Sequence, residues 1–125
     1  MARPLHILVL AELESADRER LIQAAPGAVF SFGAVDFGIP EADIIIGQPK
    51  PSLLRDAAHL KWLQLSWAGA EPYVAPGILP EGVLLTNVTG AFGLAISEHM
   101  LASALMLTKK LHLYRDNMHR AVWLD

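Results

Sequence analysis

The sequence predicts an α/β domain: a parallel sheet of five strands flanked by helices, followed by a long C-terminal helix. Three observations predict it. Short, continuous apolar runs such as His6-Ile7-Leu8-Val9-Leu10 and Ile44-Ile45-Ile46 have the pattern of strands buried on both faces, the usual condition of a parallel sheet. Helical patterns follow the first and third strands, and parallel neighbours need crossover connections of that length. Pro and Gly residues punctuate the transitions.

Residues 6–10 form the first strand. Ser15-Ala16-Asp17 then supplies a cap, with Glu19 close behind, for a helix of about ten residues whose apolar stripe, Leu21, Ile22, Ala24 and Ala25, stops at Pro26-Gly27. Residues 28–32 are β-branched and aromatic, end at Gly33, and read as the second strand. The third is the clearest, three Ile residues framed by Asp43 and Gly47, and it too reads as buried on both faces. Pro51 suits the first turn of a helix running over Leu53, Leu54 and Ala57 to His59. Residues 60–65 make a fourth strand, with Ser66 and Gly69 in the loop beyond it. Residues 71–82 hold three prolines and two glycines and predict an irregular excursion with a short turn at 72–75. Residues 83–86 are the fifth strand. One long helix then starts at residues 92–94 and continues to Met118, with Glu98 toward its positive amino end and Lys109, Lys110 and Arg115 toward its negative carboxyl end. The succession predicts the flavodoxin-like strand order 2-1-3-4-5, with residues 1–92 as the sheet domain and residues 93–125 as the long helix and the end of the chain.

Composition narrows the function classes. With 53% hydrophobic and 18% charged residues the chain lies far from the disordered class. A net charge of -3 with both signs scattered offers no basic face for a run of phosphates, so nucleic acid is not an expected partner. Cys is absent, which removes disulfides, thiolate metal sites and a Cys nucleophile, and fits a reducing cytoplasm. No signal peptide is read at the amino terminus, where a short apolar stretch runs into Glu12 and Glu14. The apolar stretch 94–107 is interrupted by Glu98 and His99 and falls short of the ~20 residues that span a bilayer, so no membrane association is expected.

In an open parallel sheet, ligands bind beyond the carboxyl ends of the strands, so the residues after each strand are the ones to test. The loop after the first strand, Ala11-Glu12-Leu13-Glu14-Ser15, is acidic where a flavin phosphate would need Gly, Ser and Thr amides. A phospho-accepting receiver would need an Asp at the end of the third strand, and Gly47 stands there while Asp43 sits at the opposite end. No two glycines are separated by a single residue, so a dinucleotide loop is missing, and Gly90-Ala91-Phe92-Gly93 lacks the tight-turn pair. Histidines 6, 59, 99, 112 and 119 never fall at i and i+4, so no helical metal pair is encoded. Glu98-His99 are adjacent and point about 100° apart, which suits a helix-end charge and a packed side chain better than a base and its orienter.

Residues 60–119 carry a family likeness. Leu60-Lys61-Trp62-Leu63-Gln64-Leu65-Ser66-Trp67-Ala68-Gly69-Ala70-Glu71, then Leu79-Pro80-Glu81-Gly82-Val83, then Asn87 through Gly90, then Ala95-Ile96-Ser97-Glu98-His99 resemble, in order and spacing, successive landmarks of the D-isomer-specific 2-hydroxyacid dehydrogenases. The earlier strands fit the same family. The resemblance implies the N-terminal substrate-binding domain of an enzyme that moves hydride between NAD or NADP and a small 2-keto or 2-hydroxy acid. The family's catalytic Arg, acid and His and its Gly-rich nucleotide loop lie further along than these 125 residues, so no catalytic residue is assigned, no cofactor is expected bound to this chain, and the chain is expected to be a truncated, catalytically silent lobe.

By the same resemblance, the backbone amides of the loop after the fourth strand approach the substrate's carboxylate. Ala68 and Gly69 are the leading candidates, with Trp67 and Ala70 beside them, and a side-chain-poor loop is well suited to exposing its N–H groups. Phe92 and Ile96 are carried over as residues facing the cofactor. Two departures bear on substrate size: Trp67 stands where relatives commonly have a small residue, and Gly90-Ala91-Phe92 replaces a loop that is often Pro and Asn-rich. The apolar helix 93–119 predicts a homodimer, through helix exchange, over the alternative of that helix folding back on its own sheet. A free-standing flavodoxin-like binding module without redox activity is the competing functional expectation.

Overall fold

In the computed structural model the described residues are 3–33 and 38–123. Residues 1–2 and 124–125, which fall in the segments read above for a signal peptide and for the end of the chain, lie outside them. The sheet has five strands, β1 (His6–Val9), β2 (Val29–Phe32), β3 (Ile44–Ile46), β4 (Trp62–Gln64) and β5 (Leu84–Thr86), in the order β2-β1-β3-β4-β5. Every pairing is parallel. The expected architecture and strand order are therefore present. The chain divides into two compact units, residues 1–89 with the sheet and residues 90–125 with two helices.

The register explains the core. Leu8, Ile45, Leu63 and Leu85 lie in one row across the sheet, and in a pleated sheet such a row shares one face. That face is closed by Ile39, Leu54, Ala57, Leu60, Leu65 and Tyr73, all buried. The rows on either side point the other way. There Ile7 and Val9 are buried, but Ile44, Ile46, Trp62, Gln64 and Thr86 are only half-buried and Leu84 is exposed. The helix α1 (Ser15–Ala24) lies on this second face, where Leu13, Asp17, Arg20 and Leu21 share a shallow cavity with Ile46 and the Arg18 guanidinium sits 5.2 Å over the Phe32 ring. The expectation that the Ile-rich third strand is buried on both faces is thus corrected: Ile45 is fully buried, and its two neighbours are half-covered because one helix shields only part of that face.

A second correction concerns the connection from β3 to β4. Instead of an α-helix to His59, Pro51–Asp56 is a 3-10 helix. Leu54, Ala57 and Leu60 are all buried, and a three-residue period is what aligns such positions on one side. Ala57 N donates to Leu54 O at 3.1 Å and Leu60 N to Ala57 O at 3.1 Å, continuing that tight winding.

Two residues explain why β3 sits centrally. Gly47 has φ +127°, and a Cβ there would lie 2.8 Å from Leu10 Cβ and 3.0 Å from Ala11 N, so only glycine lets the chain leave β3 against the end of β1. At the opposite edge Asp43, 3% exposed, accepts from His6 N at 3.0 Å, Arg3 at 2.9 Å and Lys61 at 3.0 Å. It ties the starts of β1, β3 and β4 together.

In residues 90–125, the single long helix expected over 93–119 is two helices, α2 (Gly93–Thr108) and α3 (Leu111–His119). They break at Lys110, which is left-handed at φ 56°. No Gly or Pro marks the break. Thr108 Oγ1 bonds back to Ala104 O at 2.8 Å and Leu105 O at 3.3 Å, a habit of helical Thr that loosens the ladder. Lys109 and Lys110, read from sequence as lying before the end of one helix, mark the carboxyl end of α2 instead, where cations are favoured. No residue of α2 is buried.

Candidate functional site

Three loops leave the carboxyl edge of β3, β4 and β5 side by side, the place where open α/β sheets hold ligands. From β3 come Gly47 and Gln48; from β4, the segment 65–70; from β5, Asn87, Val88 and Thr89. The β4 loop is held from both sides. The Gln48 side chain faces two backbone N–H groups, so its Oε1 accepts from Ser66 N at 3.0 Å and Trp67 N at 3.0 Å while its nitrogen donates to Ser66 Oγ at 2.6 Å. On the other side Asn87 Nδ2 donates to Ala68 O at 2.6 Å, Asn87 Oδ1 accepts from Thr89 N at 3.2 Å, and Val88 N donates to Trp67 O at 3.3 Å. The loop ends in a short 3-10 turn, Glu71–Tyr73. Tyr73 donates its hydroxyl to Pro49 O at 2.9 Å, and burial raises its pKa above the ordinary phenol value.

Between these anchors the amides of Ala68, Gly69 and Ala70 donate to no acceptor among the described residues. Ala68 and Gly69 are exposed and Ala70 half-buried. Gly69 is not among the left-handed glycines, so the turn itself does not demand a glycine. What a Cβ would meet there is Glu71 Oε2, at 2.9 Å. Trp67 is 66% exposed, its ring turned out of the core. Underneath, Trp62 Nε1 donates to Thr86 Oγ1 at 2.7 Å, Thr86 Oγ1 to Gln64 Oε1 at 2.7 Å, and Gln64 Nε2 to Leu65 O at 2.7 Å, a chain that stiffens the ends of β4 and β5.

The sequence-derived candidates fall into two places. Trp67, Ala68, Gly69 and Ala70 form one loop in residues 1–89. Phe92 and Ile96, both exposed, lie at the start of α2 in residues 90–125, with Ile96 N donating to Phe92 O at 3.0 Å. As groups toward a nicotinamide cofactor these two side chains could cover a flat ring but supply nothing for a pyrophosphate. Sequence reasoning missed Gln48 and Tyr73 and used Asn87 only as a landmark. An amide or phenol that reaches a neighbouring loop leaves no local pattern in the sequence.

No family model and no curated protein sequence matches the chain. Solved structures do. A D-isomer specific 2-hydroxyacid dehydrogenase family protein from Aeromonas salmonicida subsp. salmonicida A449 matches at TM-score 0.75 and 29% identity, over 98% of this chain and 42% of that one. A protein from Pyrococcus horikoshii OT3 matches at TM-score 0.74 and 22% identity, over 99% and 39%. Phosphoglycerate dehydrogenase from Lactobacillus plantarum matches at TM-score 0.59 and 21% identity, over 95% and 40%. The last two, at such identities, speak to the fold alone.

The class is therefore an α/β domain of parallel order 2-1-3-4-5 shared with dehydrogenases. Within it, the chain is similar along nearly its whole length to the D-isomer-specific 2-hydroxyacid dehydrogenase family, as its sequence landmarks indicated, and it spans about two fifths of the length of the structures it matches.

Proposed function

We propose that the chain is the substrate-binding lobe of an NAD(P)-dependent D-2-hydroxyacid dehydrogenase. In this reading Trp67, Ala68, Gly69 and Ala70 form the wall that takes the carboxylate of a small 2-keto or 2-hydroxy acid. The observation that carries it is the run of three amide donors at residues 68–70 with no acceptor among the described residues, at the carboxyl edge of the sheet. A carboxylate has two oxygens and about four lone-pair directions, and charge-assisted N–H bonds to it are about twice as strong as neutral ones.

In the whole enzyme a nicotinamide cofactor, NAD or NADP, supplies the hydride. Phe92 and Ile96 are assigned to the cofactor-facing wall. This chain offers no loop for the pyrophosphate and no catalytic Arg, acid and His set, so its own part is to bind and orient the acid, and it turns nothing over alone. It acts in the cytoplasm and pairs as a homodimer through residues 93–119. Among the described residues no helix is long and apolar enough to cross a membrane.

Titration of the 15N-labelled chain with oxamate, an unreactive 2-keto-acid mimic, tests the site. The expected result is selective shifts of the Ala68, Gly69 and Ala70 amides. Shifts scattered over the surface, or none, overturn the assignment. Reduction of glyoxylate or hydroxypyruvate with NADH or NADPH by the purified chain would overturn its silence.

A further inference from the structure

We infer that Gln48, on the loop after β3, is a positioning residue for the substrate-carboxylate loop, acting through the Ser66 and Trp67 amides. This rests on the reading of residues 67–70 as the carboxylate wall. Ser66, Trp67, Ala68, Gly69 and Ala70 supply five consecutive N–H groups. If all five were unsatisfied, the loop would be free to turn any of them toward the protein or toward water. Gln48 removes that freedom. A single carbonyl oxygen, itself on a half-buried side chain, accepts the first two at 3.0 Å each, and the amide nitrogen holds Ser66 Oγ at 2.6 Å.

The next peptide is fixed from the opposite side, where Asn87 Nδ2 takes Ala68 O at 2.6 Å. The Ala68 carbonyl is thereby committed to the β5 loop. Because the carbonyl of residue 68 and the N–H of residue 69 belong to one planar peptide and point in opposite directions, the bond to Asn87 turns the Gly69 N–H away from β5. Two side-chain amides from flanking strands thus sort five donors into two that are consumed internally and three that are left for a ligand. Gln48 itself is anchored: Gly47 before it is bonded to Gln64 O at 2.8 Å, and Pro49 after it is buried and accepts the Tyr73 hydroxyl. Its reach is therefore fixed by the sheet and not by the loop it holds.

The test compares the full chain with Gln48→Met, which keeps length and bulk but cannot accept, and Gln48→Glu, whose carboxylate accepts both amides and the Ser66 hydroxyl. Two readouts are followed by NMR: amide exchange at Ser66 and Trp67, and oxamate-induced shifts at residues 68–70. In Q48M, exchange at Ser66 and Trp67 should speed up about tenfold and oxamate affinity fall about fivefold or more, with Ile45 and Leu63 in the sheet as slow as before. Q48E should restore the slow exchange at Ser66 and Trp67. Unchanged exchange in Q48M, or affinity within about twofold of the parent, overturns the inference. If the parent chain shows no oxamate response while Q48M still frees the two amides, the carboxylate reading has failed and Gln48 is only a loop anchor, which also overturns its role toward substrate.

Discussion

A carboxylate with 3% exposure stays ionised in a core only when both oxygens are met, and Asp43 meets that condition. The hydrogen bond from His6 N is the largest influence lowering its pKa below the usual 3.8. Burial opposes it, and the Lys61 hydrogen bond and the charges of Arg3 and Lys61 add to the lowering. A carboxylate with a depressed folded pKa stabilises the fold fully above its unfolded pKa and loses that contribution as pH falls through the folded value. Asp43→Asn should therefore cost about 1–3 kcal/mol at neutral pH, and the gap to the parent should narrow below pH 3.8. Urea melts at a series of pH values check both parts; a gap constant down to the acid limb would contradict the assignment. At the candidate site, the Glu71 carboxylate lies where a Gly69 side chain would be and repels an incoming anion. At high effective dielectric two unit charges some 5 Å apart interact by about 1 kcal/mol, so Glu71→Gln should tighten oxamate roughly threefold in the same titration, and weaker binding would count against carboxylate capture here.

Among the elements, α2 and α3 were expected as one helix, and their separation depends on Lys110 at φ 56°. A left-handed residue with a Cβ carries roughly 1–2 kcal/mol of strain, which glycine at the end of a helix avoids. Lys110→Gly should accordingly raise the stability of residues 90–125 by up to about 1 kcal/mol, read as slower amide exchange over Leu105 to Leu113, whereas a loss of stability would mean that the lysine side chain contributes more than the strain. The short 3-10 helix Pro51–Asp56 is a comparable case. Pro51 marks its start in the sequence, but the choice between windings belongs to the buried trio Leu54, Ala57 and Leu60, which must all reach one face.

For the whole molecule, exposed apolar surface is concentrated in residues 90–125. Leu94, Met100, Leu101, Leu105, Leu107 and Leu111 are between 49% and 73% exposed, well beyond the scattered apolar residues of an ordinary surface. The homodimer proposed above covers them. Light scattering over a range of concentrations should give twice the chain mass, and Leu101→Lys with Leu105→Lys should return it to the monomer mass. A parent chain that stays monomeric at high concentration sinks the dimer.

Much of this was legible from the residues alone. Short runs of apolar, β-branched and aromatic residues identified all five strands, since a strand's preference is carried by consecutive side chains, whereas the cover over each face is not. The order followed from the alternation of strands and helices, and the loop at 67–70 stood out through its landmarks. Other features depend on atoms far apart in the chain. Whether Ile44 and Ile46 are covered depends on where α1 comes to lie. Which amides of the β4 loop are left for a ligand depends on Gln48 and Asn87, 18 and 19 residues away along the chain from Ser66 and Ala68. Local patterns carry the elements because each strand or helix is made by neighbours in sequence. The sorting of donors at the site is made by neighbours in space, and only the tertiary structure brings those together.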